Sequence, residues 1–399
     1  MRMGNAVPFW HLFRYECRKV FGNIWVPIFL ALLLLSNGWR IQEEYSRKTQ
    51  MWESYTDQYT QCYQAYSGRI TGEKVSDLMA RYAPLEEKWN AAMLDGNPSP
   101  DAFTYSEFVD EMFFRTLFVT EMKYDYFYQN TAVHISSTAR ELAAFYRNAG
   151  NAFEAAKNEK IAADFSGRVI PAFADTRGYE VLLQHDYSSM VILLLSIFAL
   201  CRVFVQEQES EMYMLLRTAR NGFGRTVAAK LFTSAGFIIA VCFLFYLQDF
   251  LMIYFLGGRN EALSSPVYAL RYFAGTPMNM TVAQYFLWAA VAKTFGILCF
   301  GCVILLISSI MKQVLPVFFV SLTLMAGGAL LQEISRTYYA FKWFNPMELV
   351  MVRKLLIDES FVNLFGFAVP LLRFVALGLA ITIGVLIALI LVCNRGYHN

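Results

Sequence analysis

The sequence predicts an all-α polytopic membrane protein with six transmembrane helices and a mostly helical external domain inserted between spans 1 and 2. Hydrophobic residues make up 56% of the 399 residues and charged residues only 17%, whereas soluble domains carry roughly 25% charged residues. Six apolar runs are each long enough to cross a hydrocarbon core of about 30 Å. A polar region too long for a connector separates the first run from the second, and we expect a domain there.

The first apolar run, residues 21–39, is predicted to be an uncleaved membrane anchor. It follows a basic stretch, as in a secretory signal, but no cleavage site of the A-x-A kind comes after it. The basic stretch favours a cytoplasmic N-terminus. Residues 1–20 place Phe9, Phe13 and Cys17 on one helical face, which predicts a cytoplasmic amphipathic helix in the membrane interface. A leader whose charges only fix the orientation is the open alternative.

Residues 40–186 are predicted to form the external helical domain. N-cap signals occur at Thr104 and Asn151, each with a Glu three residues later, and the stretch DGNPSPD at 95–101 divides the region in two. The stretch EMKYDYFYQNTAVH at 121–134 repeats aromatic residues at helical spacing. This spacing fits either a hydrophobic core or a site for a peptide or lipid.

The remaining segments follow from the alternation of apolar and polar runs. Span 2 is predicted at 187–205, a cytoplasmic segment at 206–227, and a block with the other four spans at 228–399. Spans 3 to 6 and the external loops that separate them are predicted at these positions: spans at 228–256, 285–310, 314–332 and 370–393, loops at 257–284 and 333–369.

The distribution of Lys and Arg tests this topology. The short segments on the cytoplasmic side of the predicted spans carry basic residues, as the positive-inside rule requires, and both termini are then cytoplasmic. The loop at 333–369 departs from the rule, because it contains Arg336, Lys342, Arg353 and Lys354.

The polar stretch FVQEQESEMYMLLRTARNGFGRTVAAKLF at 204–232 joins spans 2 and 3. Met212, Leu215 and Leu216 fall at helical spacing, and Gly222 and Gly224 favour a sharp turn before the next span. Exposed Met and Leu side chains need a covering surface. The short helix therefore lies either on the membrane interface or against a cytoplasmic partner.

This stretch resembles the coupling segment of the integral-membrane permeases of ABC transporters, type-2 exporter class, in the bacterial branch with a large external domain after the first span. The order of an acidic span end, a Leu-rich helix, a Gly-Arg turn and a Lys opening the next span carries the resemblance. The stretches RGYEVLL at 177–183, LSSPVYALRYFAGTPMNMTVAQYFLWAAVAK at 263–293 and FNPMELV at 344–350 extend it.

The resemblance implies a docking interface for a separate ATP-binding subunit. The residues that it assigns to this interface are Glu207, Glu209, Met212, Leu215, Leu216, Arg217, Arg220, Gly222, Gly224 and Arg225. In that family ATP and Mg²⁺ are bound by the partner chain, and no G-x-x-x-x-G-K-[ST] phosphate loop occurs in this sequence. A second permease subunit, identical or related, is also implied.

Two ionisable residues lie inside the predicted spans, away from their ends. Asp249 in span 3 and Lys293 in span 4 fall at similar depth on antiparallel helices. An unpaired charge there costs at least about 2.5 kcal/mol. We therefore expect an Asp249–Lys293 pair or a shared water-filled cavity, against the alternative that Lys293 snorkels and Asp249 caps a helix end.

Three function classes follow. The first is the permease subunit of an exporter of an amphipathic substrate, a peptide or lipid-like molecule, in the cell membrane. The second is a membrane sensor or scaffold whose external domain binds a ligand without transport. An enzyme is disfavoured, because the four His are far apart and no H-E-x-x-H or G-x-S-x-G motif occurs. Neither a metal site from the seven scattered Cys nor a nucleic-acid partner at a net charge of +2 is expected.

Overall fold

The computed structural model is about 82% helical and describes residues 9–94, 104–209, 222–334, 339–357 and 360–396. Five of the described helical segments are long and apolar enough to cross a membrane, and a sixth candidate is a bent helix pair. The helical content and the number of candidate spans confirm the prediction of a helical polytopic protein.

The helices that contain the six candidate spans account for most of the apolar sequence. Their bounds are α1 Phe9–Phe21, α2 Trp25–Thr49, α8 Arg177–Gln184, α9 Tyr187–Leu200, α10 Val205–Glu209, α11 Gly222–Leu256, α13 Val282–Ile310, α14 Val314–Ile334 and α18 Leu371–Gly396.

The remaining helices, one β-hairpin (β3 and β4) and one pair of short strands from distant parts of the chain (β1 and β2) make up the polar region and the loops. Their bounds are α3 Thr56–Tyr66, α4 Gly72–Leu94, α5 Tyr105–Phe114, α6 Thr120–Asn148, α7 Ala152–Phe165, α12 Asn260–Ser264, α15 Tyr339–Lys342, α16 Met347–Val350, α17 Arg353–Leu356, β1 Gly68–Arg69, β2 Ala172–Phe173, β3 Phe361–Leu364 and β4 Phe367–Pro370.

The first span is longer than its apolar run. Helices α1 and α2 meet at a bend of 57°, and α2 continues to Thr49, ten residues beyond the predicted end at 39. The polar part of α2 is stabilised by charge pairs one turn apart, such as Arg40 with Glu44 at 3.1 Å. The span therefore runs without a break into the polar region.

The described parts of the polar region 40–186 are mostly helical, and both predicted N-caps are present. Thr104 and Glu107 form a capping box at the start of α5, and the Asn151 side chain accepts from the Glu154 N–H at the start of α7. The predicted break at 95–101 lies outside the described residues. Within 121–134, Tyr128 is buried whereas Phe127 is half exposed, so the aromatic stretch contributes to a core without being wholly buried.

The second span lies at the centre of the membrane bundle. In the apolar 18-residue stretch that defines this span, 78% of the residues are buried, whereas in the fifth span only 11% are. It is interrupted at His185 and Asp186, which lie between α8 and α9 and belong to neither helix. The buried side chains of α9 pack against α2, α11, α13 and α14. The break brings two ionisable side chains into the bundle.

The third span begins earlier than predicted. Helix α11 starts at Gly222 rather than at 228, so Gly222 and Gly224 lie in its first turn instead of forming a sharp turn. A Gly in a helix costs only about 1 kcal/mol relative to Ala. Packing of α11 against α1 and α2 outweighs this cost.

The loop predicted at 333–369 contains a β-hairpin that the all-helical prediction did not include. Strands β3 and β4 pair antiparallel, and Phe365 and Gly366, with φ of 52° and 92°, form the two-residue turn. Positive φ at both positions is the requirement of a type I′ turn, for which Gly is favoured. The hairpin leads directly into α18.

Candidate functional site

The segment between the second and third spans is described at its two ends. Helix α10 ends at Glu209 and α11 begins at Gly222. Five predicted interface residues lie outside the described residues, namely Met212, Leu215, Leu216, Arg217 and Arg220. Of the others, Glu207, Glu209, Gly222, Gly224 and Arg225 flank the gap.

A cluster of four charged side chains joins both flanks to the N-terminal helix. The Lys230 Nζ lies 2.8 Å from a Glu207 carboxylate oxygen and 3.3 Å from one of Glu16. The Lys19 Nζ lies 3.0 Å from Glu207 and 3.2 Å from Glu16. We call Glu16, Lys19, Glu207 and Lys230 the base cluster; its two cations and two anions balance.

The base cluster is withdrawn from solvent. Glu16 and Lys230 are buried, and Lys230 also donates to the Val203 carbonyl oxygen at 2.6 Å. An unpaired charge in such a place is costly, so breaking a buried pair by removing one partner costs about 3–5 kcal/mol. The cluster therefore holds α1, α10 and α11 in one arrangement.

Three of the flanking residues, Glu209, Gly224 and Arg225, face outward. Glu209 and Arg225 are exposed, and a side chain added at Gly224 would meet open space. They form no part of the base cluster and are accessible to a partner. Sequence reasoning missed Lys19 and Lys230 as partners of Glu207, and Glu16 as the second carboxylate that they share. The available signal was Glu16 itself, an acidic residue in an otherwise basic helix.

The two intramembrane charges have separate partners. The Lys293 Nζ lies 2.9 Å from Asp186, at the break of the second span, and donates to the His185 carbonyl oxygen at 3.1 Å. The Asp249 carboxylate accepts from the Asn37 amide at 2.6 Å. The ion-pair partner of Lys293 is thus Asp186 rather than Asp249, because the helix break places Asp186 within reach.

Asp249 and Lys293 nevertheless border one cavity. Its volume is about 20 Å³, enough for about one water molecule. His185 and Tyr246 also line it. Asp249 and Lys293, which the sequence placed at similar depth, therefore line the same polar pocket while each is bonded to a different partner.

An apolar groove adjoins this pocket. It lies between α11 and α13, has a volume of about 680 Å³, and is lined almost wholly by apolar side chains such as Phe243, Leu287 and Val291. Tyr246, Phe286 and Ala290 line both the groove and the polar pocket. The buried side chains of Asp249 and Lys293 therefore lie behind one wall of the apolar groove.

Comparisons with family models, curated proteins and solved structures found no match to this chain.

Proposed function

We propose that this chain is the membrane permease subunit of an ATP-driven ABC exporter. In this proposal a separate ATP-binding subunit holds ATP and Mg²⁺ and docks on the segment 206–227. The sequence resemblance suggests the class. The base cluster is the structural observation that supports it, because it ties both ends of the docking segment to the spans.

The base cluster provides a mechanical connection. A displacement of 210–221 by a partner acts on Glu207 at one end and on α11 at the other. Glu207 and Lys230 are ion-paired to each other and to α1, so the three helices move together. Since separation would cost several kcal/mol, movement as a unit is the cheaper response.

The apolar groove supports an amphipathic substrate. A peptide or lipid-like molecule would place its apolar part against Phe243, Leu287 and Val291. Its polar part would approach the pocket of Asp249 and Lys293 once the shared wall opens. Alternating access then requires a conformational change driven by the partner's ATP cycle.

We further propose that two six-span units assemble to form the transporter in the cell membrane. In each unit both termini are cytoplasmic and residues 40–186 are external. The basic residues flanking the base cluster, such as Arg18 and Arg225, support a cytoplasmic position for this end of the bundle.

The test is co-purification of the chain in nanodiscs from its native host, with mass spectrometry of what accompanies it and an assay of ATP hydrolysis. The Leu215→Asp/Leu216→Asp variant is compared with the native chain. Recovery of an ATP-hydrolysing subunit with the native chain and its loss with the variant would support the proposal.

The matched control is Val133→Asp/Leu142→Asp, which places two charges on exposed apolar positions of α6. This control must retain the ATP-hydrolysing subunit. If no such subunit accompanies the native chain, the permease proposal fails and a membrane sensor or scaffold becomes the better account. If the subunit stays with the Leu215/Leu216 variant, the docking assignment fails.

A further inference from the structure

A chain of hydrogen-bonded side chains joins α2, α11 and the break of the second span beside Asp249. It runs from the Leu34 carbonyl through Gln248, Asn37 and His185 to Glu44. Leu34, Asn37 and Glu44 belong to α2, His185 lies at the break between α8 and α9, and Gln248 belongs to α11. Because each link has a donor and an acceptor, the proton positions can be deduced from one fixed end.

The fixed end is the Leu34 backbone carbonyl, which only accepts. The Gln248 Nε2 lies 2.8 Å from it and donates. Gln248 therefore turns its Oε1 toward Asn37, and this oxygen only accepts. The Asn37 Nδ2 lies 3.1 Å away and supplies the hydrogen.

The orientation of Asn37 then fixes His185. The Asn37 Nδ2 also donates to the Asp249 carboxylate at 2.6 Å, so both of its hydrogens are used. The Asn37 Oδ1 faces the His185 Nε2 at 3.1 Å. An amide oxygen only accepts, so the Nε2 carries a proton.

The second ring nitrogen faces a carboxylate. The His185 Nδ1 lies 2.9 Å from the Glu44 Oε2. With the Nε2 already protonated, a neutral ring would present a bare nitrogen to a carboxylate oxygen, and two acceptors at this distance repel. One further proton must lie between them.

Arg40 decides where this proton resides. The Arg40 Nε lies 3.1 Å from the other Glu44 oxygen, and this cation favours the ionised form of Glu44. The proton is then on the Nδ1, and His185 is an imidazolium. We propose that His185 and Glu44 form a proton-binding site, with H⁺ as its ligand, at the break of the second span.

The charged groups around the site come from five elements. Glu44 and Arg40 lie on α2, Asp186 follows His185, and the others are Asp249 on α11, Lys293 on α13 and Arg353 on α17. Asp186 compensates Lys293 at 2.9 Å and Arg353 at 3.4 Å. The imidazolium adds positive charge near Asp249, which shares Asn37 with His185.

The site exchanges protons through Glu44. The Glu44 side chain is 28% exposed and that of His185 is 1% exposed. When the proton leaves, the Nδ1 and the Glu44 oxygen become two facing acceptors and the Glu44–His185 bond is lost, while Asn37 keeps its bond to the Nε2. Proton binding therefore adds one bond between the first two spans at this point, independently of any ATP-binding partner.

The test is ¹⁵N NMR of the full chain in nanodiscs with labelled histidine, between about pH 5 and about pH 8, the range in which histidine changes charge. The His185 signals are assigned by their absence in His185→Gln. If that variant fails to fold, replacing His11, His134 and His398 by Gln leaves His185 as the only labelled residue.

We expect both ring nitrogens of His185 to carry protons at the acidic end. Wherever the ring is neutral, its single proton should be on the Nε2, which faces the Asn37 oxygen. In Glu44→Gln, the new amide donates to a bare Nδ1, so the doubly protonated ring should disappear at pH values where the native chain retains it. Glu43→Gln, which removes a neighbouring carboxylate paired with Arg40 and Arg47, is the control and should behave as the native chain.

Either of two results would overturn the proposal. One is a neutral His185 whose proton is on the Nδ1. The other is a Glu44→Gln variant that titrates as the native chain does. The first result needs no variant of Glu44, so the proposal is testable even if that substitution prevents folding.

Discussion

Glu207 and Lys230 stand on opposite sides of the segment 210–221, and their charged groups lie 2.8 Å apart. The pair joins the two described ends that flank this segment, and separating them would strip the buried Lys230 of an ion-pair partner. Glu16 and Lys19 extend the contact to α1. The flanking helices α10 and α11 are therefore tied to each other and to α1.

Removing the charge of Lys230 should destabilise the protein strongly. Lys230→Met leaves the buried carboxylate of Glu16 with one cation fewer, and we expect a loss of about 3–5 kcal/mol in the free energy of unfolding. Glu16→Gln added to it should restore part of this loss, since the carboxylate is then absent. Denaturation in nanodiscs measures both; Lys312→Met, at an exposed position, is the control. Strictly additive losses would contradict a direct contact.

Lys293 and Asp186 should be energetically coupled. Their charged groups lie 2.9 Å apart in a mostly buried setting. Asp186→Asn leaves Lys293 without its carboxylate partner, and Lys293→Met leaves Asp186 with Arg353, at 3.4 Å, as its remaining cation. We expect the double variant to lose less stability than the sum of the single variants, by about 0.5–3 kcal/mol. Thermal unfolding of the four proteins measures this coupling. A sum equal to the double-variant loss would show that the pair contributes nothing.

Asp125 should make the stability depend on pH. Burial, and then the charge of Glu121, raise the pKa of Asp125 well above its ordinary value of 3.8, and one of its oxygens has no hydrogen-bond partner within the described part of the chain. The folded protein then retains a proton that the unfolded chain has lost. The stability from this group is complete below the ordinary value and falls as the pH rises toward the folded pKa.

Asp125→Asn should therefore raise the melting temperature at neutral pH, because the amide is neutral in both states. The gain should vanish below about pH 3.5, where the unfolded carboxyl is protonated as well. Glu141→Gln on the same helix, at an exposed position, should change the melting temperature little at either pH. A gain that persists at the acidic end would point to a cause other than titration.

Gly378 should tolerate no side chain. A Cβ added there would overlap the indole ring of Trp343, which packs against Phe374 with ring centroids 4.9 Å apart. Overpacking of this kind costs typically about 1–3 kcal/mol, so Gly378→Ala should lower the melting temperature. Gly384→Ala on the same helix meets open space and should be neutral or stabilising, since Ala favours a helix over Gly. Equal effects at both positions would rule out the contact.

The helices were predictable because their signals are local. The apolar runs specify where a helix can cross the membrane, and the caps at Thr104 and Asn151 depend on residues three positions apart. The early start of α11 at Gly222 was not predictable, because packing against α1 and α2 outweighed the preference of Gly for turns. The hairpin at 361–370 has only short strands and no strong alternation, so its turn residues were its one signal.

By itself, the sequence determined that this is a membrane protein of about six spans and that charge enters those spans at Asp249 and Lys293. Only the tertiary structure decided which groups those charges meet: Asp186 for Lys293 and Asn37 for Asp249. Hydropathy and periodicity are properties of neighbouring residues, so they fix depth and helical face. The partner of a buried charge is chosen by three-dimensional packing between residues that are far apart in the chain, such as Lys230 and Glu16 at 214 positions.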